Sequence, residues 1–130
     1  MLHHVTLEIR SEDVPAAARF WAAAGFSEVP PAPALGEGFT WFEREGTQIH
    51  LQHVGDPVVP SRGHAAIVAP DFDETVARIE SEGFRIEPSR DLWGAKRAKA
   101  TLPSGHVVEL MEFPPGSRPP RPGRGVQPAC

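Results

Sequence analysis

A chain of 130 residues with 40% hydrophobic and 23% charged side chains suits one compact domain or two intimate half-domains. It is long enough to bury a core without disulfides or a structural metal. A net charge of −4 argues against the basic face of a nucleic-acid binder. The single cysteine, Cys130, has no partner for an internal disulfide, and no apolar run approaches the ~20 residues that span a bilayer. The first residues lack the basic start and apolar run of a secretory signal, so a cytoplasmic, reducing location is expected.

The chain opens with a strand over residues 2–9. From His4 it alternates strictly, with Val5, Leu7 and Ile9 on one face and His4, Thr6 and Glu8 on the other. Ser11 or Asp13 is placed to cap a helix over Val14–Ala24, where Pro15 is tolerated in the first turn and Gly25 supplies the stop. Three prolines and two glycines make 30–38 a loop. Phe39–Glu43 and Gln48–His53 read as strands joined at Glu45-Gly46. After a Pro- and Gly-bearing connection, His64–Ala69 reads as a strand. Asp71 or Asp73 is placed to cap a helix running to about Glu82, with Val76 and Ile79 inward and Gly83 as its stop. Phe84–Glu87, Ala95–Leu102 and Val107–Glu112 complete the strands, with a turn at Pro103-Ser104-Gly105. Residues 114–130 are rich in Pro and Arg, with no acidic residue after Glu112, and are expected to be a disordered tail.

The two halves repeat. His4 to His64 is an offset of 60, Gly25 to Gly83 is 58, and both Gly46 to Gly105 and His50 to Glu109 are 59. A near-constant offset through several kinds of landmark marks a duplicated supersecondary unit. The expected fold is α+β, with two tandem βαβββ modules (about 1–55 and 62–113) forming a pseudo-two-fold cupped sheet around a cleft, within one domain over 1–113.

The repeat superposes His4 on His64 and His50 on Glu109. Each sits between aliphatic neighbours that point the other way, so all four belong to the non-core face of their sheets. Imidazole nitrogens and a carboxylate oxygen suit zinc, nickel, iron, cobalt or manganese better than calcium or magnesium. Three His and one Glu would leave a position open for water or substrate, as catalytic sites require. His3 has the wrong parity, His53 lies at a strand end and His106 follows a turn; these are expected to be structural or exposed. Of the tryptophans, Trp41 and Trp93 offer flat surfaces to a substrate, whereas Trp21 belongs to the core. Lys96, Arg97 and Lys99 lie near the cleft and could attract an anion.

Four segments carry a family resemblance: Leu2-His3-His4-Val5-Thr6-Leu7, Gln48-Ile49-His50-Leu51, Gly63-His64-Ala65, and Pro103-Ser104-Gly105-His106-Val107-Val108-Glu109-Leu110. Together they resemble the vicinal oxygen chelate superfamily, which includes glyoxalase I, fosfomycin-resistance proteins, extradiol dioxygenases and bleomycin-binding proteins. The resemblance covers residues 1 to about 113. It implies a metal triad of His4, His64 and Glu109, with His50 where a fourth ligand stands. It also implies a homodimer. His50 replaces the Glu of glyoxalase I at its position, and Glu8 stands where bacterial glyoxalase I enzymes have an Arg for the glutathione carboxylate. A glutathione hemithioacetal is therefore not the expected substrate.

The expected function is that of a metal-dependent enzyme of lyase, isomerase or transferase type. Its small substrate would chelate the metal through neighbouring oxygens, with Glu109 as ligand and base and with Trp41, Trp93 and Arg97 at the substrate. The competing expectation is a metal-free module that binds a small molecule or antibiotic. A dioxygenase would need two open metal positions, which a ligand at His50 makes harder to provide.

Overall fold

The computed structural model describes residues 1–69 and 71–117; most of the Pro- and Arg-rich tail (118–130) lies outside them. Within them the chain runs β1 (His4–Ile9), α1 (Val14–Ala23), β2 (Ser27–Val29), β3 (Phe39–Arg44), β4 (Thr47–His53), β5 (Ala65–Val68), α2 (Phe72–Ser81), β6 (Arg85–Pro88), β7 (Arg97–Thr101) and β8 (Val107–Met111). Each half is a βαβββ module. One four-stranded sheet has the order β1-β4-β3-β2 and the other β5-β8-β7-β6. In each, the first strand pairs parallel with the last, and the remaining pairs are antiparallel. The α+β fold of two tandem modules is thus as the sequence repeat predicts.

The element bounds differ slightly from the sequence reading. His64 stands just before β5 rather than inside it. The three-residue strand β2 is not foreseen by alternation; it forms because Ser27–Val29 pairs with Trp41–Glu43 of β3. The expected side-chain caps are absent. Asp13 and Asp71 occupy the N-cap positions of α1 and α2, but neither side chain makes a capping hydrogen bond. A 3-10 turn over Ser11–Asp13 leads directly into α1, and Asp73 is drawn off to Lys96.

The helix ends are equivalent. Gly25 and Gly83 both have positive φ, 96° and 93°. Phe26 and Phe84 each return an N–H to the carbonyl five residues back, on Trp21 and Ile79. The preceding glycines bond three residues back. This is a Schellman end, and it requires a residue without a Cβ penalty at the left-handed position.

One core serves both modules. Phe20 and Trp21 of α1 are fully buried with Phe42, Ile49 and Leu51 of the first sheet and Ile79, Ala100, Val108 and Leu110 of the second half. The Phe20 and Phe84 rings meet edge to face at 5.5 Å. Two arginines tie the halves together through backbone carbonyls. Arg44 donates to Ala24 O at 2.9 Å and also to Val68 O, and its guanidinium lies over the Phe26 ring. Arg78 Nε donates to Ala23 O at 3.1 Å. Both cations therefore sit at the C-terminal end of α1, where the last carbonyls lack helical partners and the dipole is negative.

His106 is buried rather than exposed (6%). Its Nδ1 is 2.7 Å from Ser104 Oγ, while Nε2 is buried without a partner. Burial lowers its pKa, with Asp13 partly opposing. Above the ordinary imidazole value of 6.5 the ring is neutral folded and unfolded. As the pH falls through that value the unfolded chain takes up the proton first, so stability is lost. Urea midpoints at about pH 7.5 and about pH 5 should therefore diverge less for His106→Leu than for the native chain. Equal divergence would remove His106 from the acid sensitivity.

Candidate metal centre

The four residues predicted to share a metal come together as two pairs, one on each sheet. In the parallel pairing of β1 with β4, Thr6 stands opposite His50, so His4 lies two residues before the partner of His50. In β5 with β8, Ala66 stands opposite Glu109, and His64 lies two residues before that partner. The same diagonal therefore recurs in both modules. Parity also holds, because Ile49 and Leu51 beside His50, and Val108 and Leu110 beside Glu109, are core residues.

In the first pair the His4 and His50 rings stack at 4.0 Å with 14° between planes. Trp41, directly opposite His50 in the β3–β4 register, stacks on it at 3.8 Å and 1°. His4 Nδ1 lies 2.9 Å from His3 Nδ1. The two share one proton-mediated contact, and His4 Nε2 makes no hydrogen bond among the described residues. His3, expected to lie outside the site, thus touches it through its neighbour. His50 Nε2 is 2.7 Å from Gln48 Oε1. Burial, then the nearby His4 and His3, lower the pKa of His50 and favour its neutral form.

In the second pair His64 Nε2 lies 2.9 Å from Glu109 Oε1. Arg62 O is 2.9 Å from His64 Nδ1. A carbonyl and an ionised carboxylate both only accept, so in this arrangement both ring nitrogens donate, Nδ1 to Arg62 O and Nε2 to Glu109 Oε1, and a metal ion would take the place of the Nε2 hydrogen. Arg97 donates from Nη1 to Glu109 Oε2 at 2.7 Å, leaving Oε1 as the oxygen on the His64 side. Arg97 is itself anchored, with Nε donating to Arg90 O at 2.8 Å and its guanidinium 5.6 Å from the Trp93 ring centre. Burial alone would raise the Glu109 pKa. The hydrogen bonds and charges of Arg97 and His64 outweigh it and hold the carboxyl below the usual carboxylate range.

Among the described residues, no three His, Cys, Asp or Glu side chains gather closely enough within one chain to hold a metal ion. Each pair is nonetheless a suitable half of a centre. The donors are imidazole and carboxylate, and hydrogen bonds from residues behind them fix ring orientation in the way metal-binding histidines are usually fixed. The expected substrate-facing residues divide the same way, with Trp41 beside the first pair and Arg97 and Trp93 beside the second. Trp93 is 59% exposed. Lys99 is exposed and directly opposite Glu109. Lys96 does not join the site; its ammonium is bound by Asp73 at 2.8 and 2.9 Å.

A family model described as a glyoxalase-like domain matches residues 4–111. The chain belongs to this glyoxalase-like family, within the vicinal oxygen chelate superfamily. No curated protein matches. Among solved structures, a glyoxalase family protein from Bacillus anthracis is 21% identical with a TM-score of 0.76, covering 85% of this chain and 93% of its own. The fosfomycin resistance protein FosX from Listeria monocytogenes is 20% identical with a TM-score of 0.69, covering 88% and 92%. A Glu-to-Gln variant of that protein was solved with Mn(II) and dihydroxypropylphosphonic acid. The antibiotic-binding protein TnmS3 from a Streptomyces species is 16% identical with a TM-score of 0.66, covering 85% and 93%. At these identities the structures share the fold.

The Arg97 contact generates a direct test. Arg97→Gln should raise the Glu109 pKa, since an opposite charge at contact distance favours the ionised carboxyl. Carbon-detected NMR titration of the metal-free protein measures it. An unmoved Glu109 titration would mean that Arg97 does not stabilise the carboxylate.

Proposed function

We propose that this glyoxalase-like protein is a metal-dependent enzyme, lyase- or isomerase-like, acting on a small substrate that reaches the metal through two neighbouring oxygens. We propose further that it works as a homodimer in which His4 and His50 of one subunit face His64 and Glu109 of the partner subunit. The observation that carries this reading is the division of a repeat-related donor set into two preoriented pairs on separate sheets. Neither pair alone supplies three ligands, and a second copy of the chain supplies the missing half twice over by two-fold symmetry. The unpaired edges of β1 and β5 are surfaces that such a partner would cover. The Mn(II)-bound FosX variant supports metal use in this fold.

In such a centre His4 Nε2, His64 Nε2 and Glu109 Oε1 are the donors, with His50 as the fourth. A bound divalent ion would supply Lewis acidity to an oxyanion or enediolate formed on the substrate. The chain's own residues do the rest. Arg97 keeps Oε2 of Glu109 occupied, which directs Oε1 to the metal side. Glu109 is the carboxylate available to accept a substrate proton. Trp41 closes the face of His50 and excludes water from it. Trp93 and the exposed Lys99 stand where an incoming ligand meets the second sheet.

A second reading, a metal-free binding module, is favoured by one observation: the exposed Trp93 ring, backed by Arg97, offers a flat binding surface of the kind an antibiotic binder needs. The fold neighbour TnmS3 is described as such a binder. Metal analysis separates the two. Untagged native protein should carry zinc, nickel, iron, cobalt or manganese, and His4→Ala and His64→Ala should each lose it. Co-refolding these two variants should restore part of the binding, because mixed dimers contain one intact site. Native protein that takes up none of these ions would leave the binding module. Metal retained by native protein but never restored by mixing would place the whole site within one chain.

A further inference from the structure

The first donor pair has a hydrogen-bond chain behind it that sets the chemistry of His50. Glu43 stands directly opposite Gln48 in the β3–β4 register, and Gln48 precedes His50 by two residues on the same face of β4. Gln48 Nε2 donates to Glu43 Oε1 at 2.7 Å, and Gln48 Oε1 lies 2.7 Å from His50 Nε2. Only one assignment satisfies all three groups. An ionised carboxylate only accepts, so the amide nitrogen of Gln48 must face Glu43. The amide oxygen then faces His50 and also only accepts, so His50 Nε2 must carry the hydrogen. The ring is further held between Trp41 and His4, at 3.8 and 4.0 Å, and cannot turn over without breaking both stacks. His50 Nδ1 makes no hydrogen bond among the described residues.

We propose that Glu43 and Gln48 are positioning residues that hold His50 as its Nε2–H tautomer, and that Nδ1 is the atom by which His50 joins the metal centre. The metal half of this inference rests on the proposed function; the tautomer half does not. It makes His50 unlike His64, whose Nδ1 is engaged by Arg62 O and whose Nε2 faces the Glu109 carboxylate. The two modules would then offer the ion opposite nitrogens, each fixed by a partner on the other side of its ring.

The test is multiple-bond 1H–15N correlation NMR on the full-length, 15N-labelled protein, above the imidazole titration range, first metal-free and then with Zn2+ alone. The metal-free spectrum should show His50 with a protonated Nε2. Zinc should shift Nδ1 of His50 and leave the Nε2 proton in place. Gln48→Leu should abolish the locked pattern and weaken zinc binding roughly 10- to 100-fold. Glu43→Gln, which keeps an oxygen to accept from the Gln48 amide, should retain the pattern. Loss of the Nε2 proton on adding zinc, or an Nδ1–H tautomer in the metal-free protein, would overturn the inference. So would zinc shifts at His4 and His64 with none at His50; that outcome leaves a three-donor centre and the proposed function intact. A locked Nε2–H with no zinc shift at any histidine would instead sink the metal reading while the tautomer assignment stands.

Discussion

The parallel pairing of the first and last strand in each module is the constraint on which the site depends. In an antiparallel hairpin two strands can be joined by a tight turn, but parallel neighbours need a long crossover. Here α1, β2 and β3 supply it in the first half, and α2, β6 and β7 in the second. The crossover packs a helix on one face of the sheet, which turns the other face away from the core. Register then does the remaining work. With Thr6 opposite His50 and Ala66 opposite Glu109, each module sets a histidine near the start of its first strand on a diagonal from a donor on its last.

The partners of those donors show how a polar face is kept ordered. His50 and Glu109 are each 7% exposed, which would be costly for unpaired polar groups. Glu109 is held by Arg97 and His64, and His50 by Gln48 and two stacked rings. Both Glu109 oxygens are partnered and His50 is held at Nε2, so these two side chains are oriented before any ligand arrives. The same principle gives a different result just ahead of β8. His106 is buried with one nitrogen unsatisfied, and burial disfavours its protonated form.

Much of this was legible in the sequence, for particular reasons. Strict alternation around His4, and aliphatic neighbours around His50 and Glu109, fix the face each side chain takes. The Gly-Phe pairs at 25–26 and 83–84 mark helix ends because the Schellman turn demands a left-handed residue there. Other features depend on pairing that no local pattern records. The strand Ser27–Val29 exists only because β3 is beside it. Arg97 reaches Glu109 although register sets Lys99 opposite that residue; the long guanidinium side chain spans the diagonal and is anchored at Arg90 and Trp93. Lys96, one residue away, points to α2 and Asp73 instead. The division of the donors into two pairs was also out of reach, since amphipathic patterning says which face a residue takes but not what covers that face.

The charge on the two non-core faces bears on what covers them. Register-paired residues share a face, so the first sheet presents Glu8 and Glu43 together with His4, Gln48, His50, Gln52, Phe39 and Trp41, and no Lys or Arg. The second presents Arg85, Arg97 and Lys99 with Glu87 and Glu109. One face is acidic and aromatic; the other carries an excess of cations. Two like faces brought together would repel, whereas the unlike faces complement one another in sign, and such complementarity selects orientation and register between partners more than it adds affinity. A two-fold dimer that sets the first sheet of each chain against the second sheet of the other satisfies this twice and closes on itself. It is also the arrangement that would bring His4 and His50 up to His64 and Glu109. The charge pattern and the donor pattern thus favour the same assembly, although they rest on different residues.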